Sequence, residues 1–277
     1  MKYKCVVSDL DMTLLGPGSV LSKATREALD KLMKSGVLVV PASGRPLGAF
    51  PKEILEMEGI RYGITSNGAA IYDLKAGTAL YVSKLAPDIA VQVMELLDRY
   101  DLTYEGYIDG RAYTAQEYYD DPVRFGAFPA VVDYVRSTRE PVEDIRRFLS
   151  ENRGRLDCID VIVRQEMKQE VYAQIQEKIG GIYITTSASH LIEISGAESG
   201  KHSGVKKLAD MLGLRLSEIV AFGDGDNDSE MLKEAGLGVA VANATEKCMT
   251  AADMVTDFHY LDGVPKVLYQ IFPEVFE

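Results

Sequence analysis

The 277-residue chain reads as an α/β protein into which an α+β segment is inserted. Three observations predict this. The apolar runs Val6-Val7, Val37 to Val40 and Ile219 to Phe222 are short and continuous, as strands of a parallel sheet buried on both faces are. Helical periodicity follows each of the first two runs, which is the grammar of βαβ units. Between about Lys84 and Ser189 the pattern changes to hairpin turns and amphipathic helices, the mark of a separate unit. The expected division is residues 1–83 and 190–277 for the core, and 84–189 for the inserted domain.

Composition bounds the function. Hydrophobic residues make up 47% and charged residues 26%, which is globular. Thirty Lys+Arg against 42 Asp+Glu leave a net charge of −12, which opposes binding to nucleic acid or to an anionic membrane surface. Cys5, Cys158 and Cys248 are scattered without metal-type spacing, so neither a disulfide framework nor a zinc site is expected. With no signal pattern and no long apolar span, a cytoplasmic protein is expected. Its partner would be a small molecule, and oligomeric state is not readable.

Taken in order, the first run delivers Asp9 and Asp11 to the end of a strand. Residues at i and i+2 of an extended backbone project to one side, so two carboxylates meet one ligand there, and they repel unless a cation intervenes. Mg²⁺ is the first candidate, because it takes oxygen ligands. An ordinary turn after a strand also uses Asp and Thr, so the pair alone decides nothing. Gly16-Pro17-Gly18 breaks the chain, and Ser22 caps a helix whose Ala24, Ala28, Leu29 and Leu32 share a face before Gly36 ends it.

The strand Val37 to Val40 leads to Ser43-Gly44-Arg45, where a hydroxyl and a close-approaching backbone suit a phosphoryl oxygen and Arg45 suits either a nearby acid or a substrate, although a plain strand-to-helix turn explains the same residues. A helix near Glu53 to Glu58 precedes a strand at Tyr62 to Thr65. Asn67-Gly68 then reads as a hairpin turn into Ala69 to Tyr72; Asn67 could face the site, but turn geometry alone explains the pair. Within the insert, a helix at Ile89 to Leu97 is followed by extended pieces around Tyr104 and Tyr113 joined through Asp109-Gly110. A helix (Val142 to Leu149), a strand (Ile159 to Val163), a helix (Val171 to Ile179) and a strand (Tyr183 to Thr186) follow. Tyrosines 104, 107, 113, 118 and 119 crowd this region, with sheet packing the expected role for most of them.

Leu191 to Ile194 is strand-like, and Lys201 stands at the start of a helix running from Gly204 to Met211. A lysine there opposes the helix dipole, and a bound phosphate would give it a reason. Ile219 to Phe222 ends in Gly223-Asp224-Gly225-Asp226-Asn227-Asp228, an acidic cluster that needs a cation or a network. A calcium-hand loop is excluded, since its twelfth position would be Ala235 rather than Glu.

The ordered set Asp9-Leu10-Asp11-Met12-Thr13-Leu14, Ser43-Gly44-Arg45, Lys201 and Gly223 to Asp228 resembles the haloacid dehalogenase superfamily of phosphatases, in its Cof-type branch with a large α/β (C2B-type) cap. The resemblance covers the whole chain and implies a Rossmann-like parallel-sheet core with an inserted α+β cap domain. It implies Mg²⁺-dependent hydrolysis of small phosphorylated metabolites, sugar phosphates first, with Asp9 as nucleophile and Asp11 as general acid and base. Ser43, Gly44, Arg45, Lys201 and Asn227 would bind phosphate or substrate. Asp9, Asp11 through its backbone carbonyl, Asp224 and Asp228 would serve the metal. The chain departs from the family at Met12 and His202, where glycine is usual. Two alternatives share the site: a phosphomutase, and a sugar-phosphate-binding regulator without turnover. The regulator predicts a missing catalytic group, and none is missing.

Overall fold

A computed structural model describes residues 1–276. In chain order its strands are β1 (Cys5–Ser8), β2 (Leu38–Pro41), β3 (Tyr62–Thr65), β4 (Ala70–Asp73), β5 (Thr78–Val82), β6 (Thr103–Ile108), β7 (Arg111–Ala115), β8 (Arg139–Val142), β9 (Cys158–Ile162), β10 (Ile182–Thr185), β11 (Leu191–Gly196), β12 (Ile219–Gly223), β13 (Leu237–Ala240) and β14 (Met254–Val255). They fall into two compact units. The first comprises Met1–Gly44, Phe50–Tyr81 and the chain from Gly200 onward, and the second Arg45–Ala49 with Val82–Ser199.

The first unit is built on five parallel strands in the order β14-β13-β12-β1-β2. Both faces are covered, which is why the sequence runs are continuously apolar. Val6, Val39, Val220 and Phe222 pack into one hydrophobic cluster, while Cys5, Val7, Val40 and Ala221 pack into another on alternate positions. Crossover helices supply the cover. In Lys23–Lys34, Ser22 caps the start by accepting from the Thr25 N–H at 3.0 Å, and Ala28, Leu29 and Leu32 are buried. In register, Val6 lies between Val39 and Val220, so β1 is flanked by β2 and β12. The loops after these three strands therefore leave the same edge of the sheet, where an open α/β sheet places its ligand crevice.

The second unit holds a six-stranded sheet in the order β10-β11-β9-β6-β7-β8, antiparallel except for β7 beside β8. Asp109 and Gly110, both with positive φ, make the β6–β7 turn that Asp-Gly predicts. On one face Tyr104, Ile108, Ile159, Val161, Ile192 and Ile194 form the core. The other face carries Glu105, Asp160 and Glu193 in one cross-strand row, all buried. Tyrosine use follows this split. Tyr104 and Tyr118 pack in the core, Tyr113 packs on Phe148, and Tyr107 donates to Asp160 at 2.8 Å.

Boundaries differ from the sequence expectation in three places, the smallest being residues 82–83, which lie with the insert. β11 pairs with β9 and β10, so residues 190–199 lie with the insert rather than the core. The physical sign was alternation: Ile192 and Ile194 face inward and Glu193 does not, which suits an antiparallel strand of this unit and not a doubly buried parallel one. Arg45–Ala49 also belongs with the insert, and the Gly48 N–H donates to the Gly110 carbonyl at 2.8 Å. Among the described residues no helix is long and apolar enough to cross a membrane.

Candidate active site

The carboxyl edge of the first unit gathers Asp9, Asp11, Ser43, Gly44, Lys201, Asp224, Asn227 and Asp228 into one unit, whereas Arg45 lies in the other. Asp9 directly follows β1, and its N–H still donates to Phe222 of β12 at 2.9 Å, which fixes its backbone on the sheet. The next residues form a single wide π-helical turn, Leu10–Leu14, closed by the Leu15 N–H on the Leu10 carbonyl and interrupted at Asp11 and Met12 by non-helical backbone. Asp11 is half-buried at the lip, with the Ser19 hydroxyl 3.3 Å from its carboxylate.

Lys201 is the centre of the arrangement. It is 1% exposed, and its ammonium donates to Asp9 at 2.5 Å and to Asp228 at 2.7 Å. The sequence offered no local electrostatic reason for this lysine at a helix start, and the fold supplies two buried carboxylates. Burial alone would lower its pKa, but Asp228 and Asp9 raise it, so it stays charged. Asp9 responds the other way. Burial pushes its carboxyl well above the usual range, Lys201 pulls it back, and Asp228, Asp224 and Asp11 push it up again. Asp224 rises to about 6 through burial and the nearby Asp228, against a 2.7 Å hydrogen bond from Thr13.

The loop after β12 is folded by Asp228, whose second oxygen accepts from the Asp224 and Gly225 N–H groups at 3.1 and 3.0 Å. Gly223 is required for this. A Cβ there would stand 2.4 Å from the Cβ of Asp228. Ligand oxygens of Asp9, Asp224 and Asp228 lie within 4.8 Å of one another. Three converging carboxylates with one lysine leave a surplus of negative charge that fits a divalent cation with oxygen ligands. The Asp11 carboxylate stands outside this trio, and the role the resemblance assigned it on the metal used its backbone carbonyl.

One residue that looked structural has a place here. The Asn-Gly pair predicts a hairpin turn, and Asn67 is buried there, with the Asn227 amide donating to its side-chain oxygen at 2.9 Å. Its own backbone accepts from Gly200 and donates to Ser43, so it ties two loops of the site to the start of the lysine helix. The only sequence signal was its Asn-Gly pair, which any hairpin shares. Ser43 is buried, with its N–H on the Ile64 carbonyl at 2.9 Å. His202 lies 3.1 Å from the Glu230 carboxylate, a partner on the neighbouring helix. Met12 has a left-handed backbone (φ 59) and is 51% exposed, while its carbonyl accepts from Asn243 at 2.8 Å. That backbone explains why glycine is usual at this position.

Comparison with known proteins decides the family, because the model of the haloacid dehalogenase-like hydrolases matches residues 6–268. The chain belongs to this family. As a haloacid dehalogenase-like hydrolase it resembles the phosphatase YwpJ of Bacillus subtilis, with 30% identity over 271 residues covering 91% of this chain and 94% of that protein. It is 29% identical over 265 residues to 5-amino-6-(5-phospho-D-ribitylamino)uracil phosphatase YcsE of the same organism, covering 96% and 94%. A solved haloacid dehalogenase-like hydrolase from B. subtilis superposes with a TM-score of 0.85 at 27% identity, covering 97% of this chain and all of that one. The α/β core with its additional sheet unit is thus the fold of this family, and the chain is an enzyme of it.

Proposed function

We propose that this hydrolase is a Mg²⁺-dependent phosphatase of small phosphorylated metabolites, sugar phosphates first among them, working through an aspartyl-phosphate on Asp9. The observation that carries the reading is Lys201 held between Asp9 and Asp228, with Asp224 converging on the same point. A carboxylate that attacks a phosphate ester meets an anion, so positive charge must already be in place. Lys201 supplies one such charge. Asp9, Asp224 and Asp228, with the backbone carbonyl of Asp11, would hold Mg²⁺, which when bound neutralises phosphoryl oxygens and orients them for in-line transfer.

In the proposed reaction an Asp9 oxygen forms a bond to phosphorus as the ester oxygen leaves. Asp11 gives that oxygen its proton, and the alcohol departs. Asp11, now ionised, takes a proton from water as the water attacks phosphorus, which breaks the Asp9–phosphorus bond and releases phosphate. Ser43, the Gly44 backbone and Asn227 would position the transferring oxygens, and Arg45 would bind substrate. The sugar-phosphate class is supported by a relative whose named substrate carries a phosphorylated ribityl chain.

The test is phosphate release from sugar, nucleotide and aromatic phosphate esters, with Mg²⁺ or with chelator, for wild type and Asp9→Asn. Release that needs the metal and falls by about 10³-fold or more in Asp9→Asn is expected. Turnover undiminished in Asp9→Asn, or an isomerised ester without free phosphate, would overturn it.

A further inference from the structure

Tyr134 lies far along the chain from Arg45 and meets it within the second unit. Arg45 is followed by Pro46, which biases its backbone to extended conformations. Its Nη1 donates to the Ala49 carbonyl at 2.8 Å, and its guanidinium carbon stands 4.5 Å from the centre of the Tyr134 ring. The same ring lies 4.7 Å from the guanidinium of Arg139. Arg139 is itself immobilised: Nε and Nη2 reach the Glu105 carboxylate at 3.1 to 3.2 Å, and Nη1 reaches the Thr138 hydroxyl at 2.7 Å.

We propose that Tyr134 is a positioning residue for substrate binding, one that holds the guanidinium of Arg45 by its face on a ring fixed by the Arg139–Glu105 pair. The physical logic has three steps. Stacking on an aromatic ring engages the face of a guanidinium and does not consume the in-plane N–H donors, which are the ones that grip a phosphate or a hydroxyl. Two guanidiniums at one ring repel, and Glu105 neutralises the deeper of them, so the arrangement tolerates Arg45. The ring rides on the helix Val132–Thr138, where the Thr138 hydroxyl donates back to the Tyr134 carbonyl at 2.6 Å while accepting from Arg139. Ring and buried cation are therefore set by one local network.

The inference rests on the reading of Arg45 as a substrate-binding residue. A ring that merely filled space would affect stability and leave substrate affinity alone. The experiment measures kcat and KM for p-nitrophenyl phosphate and glucose 6-phosphate in Tyr134→Phe and Tyr134→Met, each made in wild type and in Arg45→Ala, with thermal midpoints alongside. Tyr134→Met should lower kcat/KM by about tenfold, mainly through KM, and Tyr134→Phe should restore it to within about threefold. In the Arg45→Ala background Tyr134→Met should cost nothing further. Equal losses in both backgrounds, or an unchanged KM in Tyr134→Met, overturn the positioning role. An Arg45→Ala enzyme with wild-type kinetics on both esters overturns the reading of Arg45 itself. Tyr134→Leu repeats the comparison should the methionine variant not fold.

Discussion

Met12 shows how a single residue can be out of step with its backbone. A non-glycine residue in the left-handed region costs on the order of 1 kcal/mol, and a half-exposed side chain outside every hydrophobic cluster recovers little of it. The Asn243 amide holds the Met12 carbonyl, and the Asn243 side-chain oxygen accepts from the His259 N–H at 3.1 Å, so the conformation is imposed from outside the loop. Met12→Gly should therefore raise stability by about 0.5 to 1 kcal/mol, read as a higher denaturant midpoint at unchanged slope. A lower midpoint would mean that the methionine packs against something that repays its strain. At this scale the sequence was informative about chemistry and blind to partners. Asp9, Asp224 and Asp228 were legible because like charges at strand ends need a cation, whereas the bonds from Lys201 to Asp9 and Asp228 span 192 and 27 residues and leave no local trace.

Elements were legible where one physical rule dominated. Doubly buried strands gave continuous apolar runs and Ser22 gave a cap, so β1, β2, β12 and the first helix stand where expected. β5 and β8 went unread, because their outward or mixed burial leaves no clear period. The turn Ser66–Gly68 was legible as a turn and not as a bearing surface. Gly68 has φ +82, and a Cβ on it would stand 2.1 Å from the carbonyl oxygen of Gly200, the residue that starts the lysine helix. Gly77, at φ +67, has open space around it. Gly77→Ala should thus cost only the backbone term, about 1 kcal/mol, while Gly68→Ala should cost roughly 3 kcal/mol and displace Lys201. Thermal melts measure the first difference, and kcat/KM for phosphate release measures the second. Equal costs at the two glycines would remove the idea that this turn sets the lysine helix.

The whole molecule pairs an acidic charge balance with buried titratable groups, and acid should test that pairing. The chain crosses between its units four times, at residues 44/45, 49/50, 81/82 and 199/200. In the second unit His190 sits at the entrance to β11, buried, with Nε2 3.2 Å from the Tyr118 hydroxyl and Nδ1 without a hydrogen-bond partner among the described residues. Burial, then the charges of Lys168 and Arg139, lower its pKa to about 4. Because the folded value lies below the unfolded one, the unfolded chain takes the proton first as pH falls. Stability attributable to His190 is therefore intact above about pH 6.5, drains away down to about pH 4, and changes no further below that, for a total of roughly 3 kcal/mol. His190→Gln keeps a polar side chain near Tyr118 and removes the titration. Denaturation across this pH window should show the wild type losing stability faster than the variant, with the two curves parallel outside it. Parallel curves throughout would mean that His190 protonates as readily in the folded protein as in the unfolded chain, and that the carboxylates alone set the acid limit of the fold.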